Sequence, residues 1–149
     1  MSVSEPRDPH GAHDFVLEIE GELVARLFRV SGLVSRTQVF ELVEGGRNDR
    51  AHRLAGAATW DDLTLTFGIG VGRGLDAWRD AFLQDPFEPS CLRSGAVVLL
   101  GEDGEPARRY EFERAWPVSW EGPNLDAGVS AVATETLVIA HEGLRVVTP

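Results

Sequence analysis

The sequence predicts an α+β fold that is mostly β: an antiparallel sandwich or open barrel with one short helix against it and one long hairpin. Three observations predict it. Short stretches of period-two apolar alternation recur between residues 15 and 140, separated by glycine-rich and acidic turns. A single stretch, near 73–84, switches to helical period. The 149 residues, 43% apolar and 26% charged, hold no internal repeat or linker and suit one core. The expected organisation is a loose arm at 1–13 and one domain at 14–149.

Phe15, Leu17 and Ile19 alternate with Val16, Glu18 and Glu20, the pattern of a half-buried strand. Glu20-Gly21-Glu22 is a turn of hairpin size, and residues 23–30 return as a second strand ending at Ser31-Gly32. Residues 34–44 alternate at length with neither side cleanly apolar, which suits a strand with water on one face and a partner on the other. Gly45-Gly46-Arg47-Asn48-Asp49 is a polar tip, and His52 onward runs back toward Trp60, so 34–60 is expected to be a long hairpin. Leu63, Leu65 and Phe67 form a short strand. Leu75, Trp78 and Phe82 then stripe one side of a helix, with Asp76 and Asp80 on its outer side and Pro86 and Pro89 ending it. Residues 96–100 and 109–116 are expected as a strand pair around the Glu102–Glu105 turn, and 116–123 as a rigid aromatic connection. The closing strand, 129–140, sets Val132, Thr134, Thr136 and Val138 on one face and Glu135, Leu137 and Ile139 on the other.

The chemistry-bearing residues do not assemble a reactive site. The net charge is −10 and every one of the 14 basic residues is arginine, which argues against nucleic acid or anionic membrane as the main partner. The longest apolar run, 96–100, is too short to span a bilayer, and the first 14 residues lack the basic and apolar regions of a secretory signal. Cys91 alone makes no disulfide framework and fits a reducing cytoplasm. The glycines at 68, 70, 72 and 74 lie between a strand and a helix, where phosphate is often held, but no Lys-Ser/Thr follows and the spacing is wrong. His10 and His13, with His52 and His141, do not supply a preorganised zinc set. Asp61-Asp62 are adjacent in sequence and would point to opposite faces. Trp60, Trp78, Trp116 and Trp120 fit a core or an interface, or, in a competing reading, the pocket of a small β-barrel ligand carrier. No nucleophile, base and orienting group come together, so neither an enzyme, a cofactor nor a metal is expected.

Several phrases, in order, resemble the tail tube proteins of contractile phages and contractile injection systems. They are Phe15-Val16-Leu17-Glu18-Ile19-Glu20-Gly21, Phe28-Arg29-Val30-Ser31-Gly32-Leu33, and Glu41-Leu42-Val43-Glu44-Gly45-Gly46-Arg47-Asn48. Leu54-Ala55-Gly56, Trp60-Asp61-Asp62-Leu63-Thr64-Leu65, Trp78, Ala115-Trp116-Pro117, Gly122-Pro123 and Leu125 follow. The last is Glu135-Thr136-Leu137-Val138-Ile139-Ala140-His141-Glu142-Gly143-Leu144. The likeness spans about residues 10–145. One departure stands out: after Leu63-Thr64-Leu65 such proteins place a basic pair and a glycine, whereas this chain has Thr66-Phe67-Gly68 and further glycines.

The resemblance implies a structural role. Such subunits form hexameric rings whose strands join into one barrel around a lumen, and the rings stack into the inner tube of the machine. The implied partners are further copies of the chain, the sheath, baseplate and cap proteins, and a cargo of phage DNA or protein effector in the lumen. The chain is not expected to insert in membrane by itself. It would be made in the bacterial cytoplasm and end in a phage virion or injection particle. The departure after Leu65 keeps open a second role, a single-ring initiating or adaptor paralogue at the baseplate or cap end. Expected contact residues between rings or subunits are Glu41, Glu44, Gly45, Gly46, Arg47, Asn48, Arg53, Glu135 and Thr136. An acidic lumen that repels DNA would follow from the charge.

Overall fold

A computed structural model describes residues 14–43, 51–128 and 132–148. The chain runs β1 (Asp14–Ile19), β2 (Glu22–Ser31), β3 (Ser35–Leu42), β4 (His52–Trp60), β5 (Leu63–Gly68), α1 (Leu75–Gln84), a 3-10 turn (Pro89–Cys91), β6 (Arg93–Leu100), β7 (Pro106–Glu121), β8 (Thr134–Ala140) and β9 (Gly143–Val147). All strand pairs are antiparallel.

The main sheet has the order β6-β1-β2-β5-β8-β7-β9, and β6 also pairs with β7. That pairing closes six strands into a barrel, with β9 outside the ring on β7. Of the two forms left open by the sequence, sandwich and open barrel, the chain takes the barrel, and it is closed. Closure removes the free edges an open sheet would carry.

Local chemistry sets the corners. Glu20 and Gly21 both have positive φ, 52° and 83°, the pattern of a two-residue hairpin turn that matches strand twist. Helix α1 begins after Gly74, which is left-handed at φ 71°, and carries Asp76 in its first turn, where a carboxylate suits the helix dipole. It stops at Asp85, before Pro86. Leu75 and Trp78 are buried against the barrel, while the ring of Phe82 stacks on Trp116 with centroids 5.0 Å apart. Trp78 also donates Nε1–H to the Cys91 carbonyl at 2.8 Å, so the indole is buried with its one polar group satisfied.

The barrel interior is filled by Leu17, Ile19, Ala25, Leu27, Leu63, Leu65, Phe67, Val97, Phe112, Ala115, Leu137 and Ile139. A second cluster, Val16, Ala96 and Val98, lies on the opposite face of β1 and β6. Alternation therefore hides apolar side chains on both faces here, which is why Val16 is buried along with Leu17.

Two expectations are corrected. Residues 116–121 are not a connection: β7 continues through Trp116-Pro117 to Glu121, with a register shift in its pairing to β8 between Pro117 and Ser119. Pro117 sits at this irregularity, where proline is tolerated, and its carbonyl accepts from Arg79 Nη1 of α1 at 2.8 Å. Within the expected closing strand, Val132 and Ala133 lie outside the strand, which runs Thr134–Ala140, and residues 129–131 are outside the described set. After a break at His141-Glu142 the chain forms β9, which had no counterpart in the expected elements.

Candidate assembly surfaces

The β3–β4 hairpin forms its own two-stranded sheet and stands off the barrel. Every residue of β3 is exposed, as is most of β4. Its main contact with the barrel is to β9. The register places Phe40 opposite Leu54 and Leu42 opposite His52, so three large apolar side chains share one face. Phe40, Leu42 and Leu54 are 51%, 49% and 50% exposed. The register shifts between Thr37 and Val39, and Phe40 lies over Gly56, where a Cβ would sit 2.5 Å from the ring. Glycine at 56 is what lets the Phe40 ring lie flat on the arm.

The base of this arm is tied to the barrel at two points. Gly32 has φ 93°, and a Cβ there would collide with the Asp62 carbonyl, so the two strands leaving the barrel cross closely at a position only glycine fills. His141, at the β8–β9 break, reaches the other side of that corner. Its Nε2 lies 3.0 Å from the Asp61 carbonyl and its Nδ1 3.1 Å from the Gly143 carbonyl. A neutral imidazole has one N–H for these two acceptors, whereas the imidazolium donates to both. The Asp61 carboxylate is paired with Arg36 on β3. Asp61 thus serves as an anchor of the arm, a role that adjacency to Asp62 did not suggest.

A second surface lies beside α1. A groove of about 520 Å³ runs between the helix, the glycine-rich crossing and the ends of β7 and β8. Its walls include Asp76, Asp80, Leu83, Trp120 and Glu135. Arg79 is turned away into the Pro117 carbonyl, and Trp120 Nε1 donates to Glu135 at 3.4 Å. The groove therefore presents apolar walls edged with carboxylates.

A third feature holds β9. Arg109 donates to Glu18 at 2.8 Å and lies 3.6 Å from Glu111, which accepts from Arg145 at 2.9 Å. These ion pairs tie β1, β7 and β9 together. The Arg145 hydrogen bond holds the Glu111 carboxyl below the usual glutamate range, and Glu111 in turn raises Arg145. The hydrogen bond to Glu18 raises Arg109.

Of the expected contact residues, Glu41 and Arg53 face each other directly across the arm. Glu135 and Thr136 lie on β8, far along the chain from the arm. Thr136 meets Thr66 across the β5–β8 pair at 3.4 Å, and Glu135 borders the groove. Glu44, Gly45, Gly46, Arg47 and Asn48 lie outside the described residues, as do His10 and His13. The groove residues Leu83 and Trp120 were not singled out as contacts. The available signal was Leu83, an apolar residue off the Leu75–Trp78–Phe82 stripe and beside Asp80.

The tryptophans do not share a pocket. Trp78, on α1, is buried against the barrel, Trp116 stacks on Phe82, Trp60 tilts against His141 at 6.4 Å, and Trp120 is exposed. The ligand-carrier reading loses its premise. Among the described residues no three His, Cys, Asp or Glu side chains are placed to hold a metal ion. No described helix is long and apolar enough to cross a membrane.

The family model described as T4-like virus tail tube protein gp19 matches residues 11–145. The chain belongs to this tail tube family. No curated protein sequence matches it. Among solved structures, a chain of the anti-feeding prophage baseplate, 6-fold symmetrised, is 26% identical with TM-score 0.76, covering 99% of this chain and 98% of its own. A chain from the sheath–tube complex of an extracellular contractile injection system, PVC, in the extended state is 20% identical with TM-score 0.82, covering 100% and 99%. A chain of the anti-feeding prophage cap, where the tube terminates, is 19% identical with TM-score 0.82, covering 100% of both. The last two share the tail tube fold.

Proposed function

We propose that this tail tube protein is the repeating subunit of the inner tube of a contractile phage tail or injection system. Copies form hexameric rings, and the rings stack into a hollow tube that passes or holds phage DNA or a protein effector. The observation that carries the reading is the exposed apolar arm on a closed barrel, in a chain of the tail tube family. A barrel closed on itself is a finished core, so an arm bearing Phe40, Leu42 and Leu54 in water is explained by burial on another subunit. A head-to-tail contact of that kind closes into a ring or continues as a filament, the two geometries a tube needs. Glu41 and Arg53, with residues 44–48, are proposed to contact the next ring, and Glu135 and Thr136 a neighbour. Sheath, baseplate and cap proteins of the same machine would be the other partners. The chain would be made in the cytoplasm, and no catalytic activity is proposed for it.

A second reading has its own support. The relatives at 26% and 19% identity come from a baseplate and from a tube-terminating cap. A subunit that forms one ring at an end of the tube fits the same fold.

Negative-stain electron microscopy of the purified protein at low and high concentration separates the two. Stacked tubes of varied length support the repeating subunit, and single rings at all concentrations support the end-ring role. Monomers alone, even when a purified tube end is added as template, would count against both.

A further inference from the structure

We propose that the acidic groove beside α1 is the seat for the apolar face of the β3–β4 arm of a second copy of this chain. The inference rests on the ring-forming reading above and names the surface that receives the arm.

The arm needs a cover. An isolated two-stranded hairpin is at best marginally stable in water, and this one exposes Phe40, Leu42 and Leu54 on one face. Its own barrel does not supply the cover, because the base is pinned by Arg36–Asp61 and by His141, and the main body contact is β9 rather than α1. The receiving surface therefore belongs to another molecule.

The groove matches in shape and chemistry. Its volume of about 520 Å³ accepts a few large side chains. Leu83 and Trp120, 60% and 46% exposed, give it apolar walls. Trp is the residue type most often found at the energetic centre of protein contacts. Asp76, Asp80 and Glu135 edge it, and the one cation there, Arg79, is engaged with the Pro117 carbonyl.

Charge selects the occupant. Residues 35–60 carry four arginines against three carboxylates, while the rest of the chain carries ten arginines against twenty-one carboxylates. The arm is thus the cationic segment of an anionic protein. A second copy offers its arm to this body with attraction and its own body with repulsion, which favours a directional, arm-to-body contact. Such polarity is what a head-to-tail assembly requires.

The test is cross-linking between separately labelled chains. Leu54→Cys in one preparation and Leu83→Cys in another are mixed, allowed to assemble, and treated with a short bismaleimide. Both sites are exposed, so neither substitution disturbs the core, and the native Cys91 is buried. The expected result is a covalent dimer at least tenfold more abundant in the mixture than in either variant alone. A companion variant, Trp120→Glu, is expected to lower ring formation at least tenfold while leaving the melting temperature of the dilute protein unchanged. Rings that form normally in the mixture and in Trp120→Glu, without the cross-link, would overturn the groove and leave the tube reading standing. Absence of rings and of cross-link, with unmodified protein and template present, would overturn both.

Discussion

The barrel and the arm are built from strands of similar length, yet they solve opposite problems. In β5, Leu63, Leu65 and Phe67 are essentially inaccessible, and the intervening threonines face outward. In β3, nothing is buried at all. The barrel spends its apolar residues on one interior, whereas the arm keeps them for another molecule. Monomer stability and assembly should therefore respond to different residues.

The sharpest way to break this contrast is a pair of matched truncations. Phe112 is 1% exposed inside the barrel. Phe112→Ala is expected to cost about 3–5 kcal/mol, from lost burial plus the cavity it leaves. That is a large share of the roughly 5–15 kcal/mol by which a domain is stable. Phe40→Ala is expected to change the dilute protein by less than about 0.5 kcal/mol, as an exposed substitution does, and yet to suppress ring formation. Urea unfolding and sedimentation on both variants decide it. A Phe40→Ala protein as unstable as Phe112→Ala would mean the arm is part of the monomer's core.

The joint between the two regions gives the next effect. At φ 93°, Gly32 sits where an added Cβ meets the Asp62 carbonyl. Gly32→Ala must move the corner, at an expected cost of about 1–3 kcal/mol for backbone strain, or a melting temperature lower by roughly 3–10 °C. Because the same corner aims the arm, assembly should fall further than stability does. An unchanged melting curve with normal rings would show that the corner has slack.

How much of this was legible in the sequence depended on where each residue's partner lies. Strands with one face in the core announce themselves, as Leu63, Leu65 and Phe67 do, because period two needs no tertiary knowledge. The helix stripe of Leu75, Trp78 and Phe82 was legible for the same reason. Barrel closure was not, since it rests on β6 meeting β7, a pairing that fixes no local pattern. Residues 116–123 read as a rigid connection because the partner of the Pro117 carbonyl, Arg79, lies far off in sequence on α1. Leu144, Val146 and Val147 of β9 followed a break at His141 and were hidden by it. The arm was legible as a hairpin, and its unsegregated faces were the sign that it would not face a dry core. Glu41 and Arg53 were placed on it from resemblance, and their mutual pairing came from the register. Asp76, Asp80, Leu83 and Trp120 converge only after the helix packs on β7.

The smallest expected effect concerns β9, the strand that links the barrel to the arm. Glu111 accepts from Arg145 of β9, and this bond holds its carboxyl below the ordinary value of 4.5. A depressed carboxylate contributes stability that is fully present above its unfolded value and is lost as the pH falls through its folded one. The pairing should therefore hold β9 at neutral pH and release it in acid, below about 4.5. The site is exposed, so screening keeps the contribution small and salt should reduce it further. Chemical shifts of the Arg145 and Val146 amides, followed from pH 7 downward, are expected to move with the Glu111 titration, and Glu111→Gln should remove that movement. If the glutamine variant keeps the same acid transition, β9 is held by its backbone ladder to β7 alone. The charge contact at the arm's base would then be the Arg36–Asp61 pair, independent of β9.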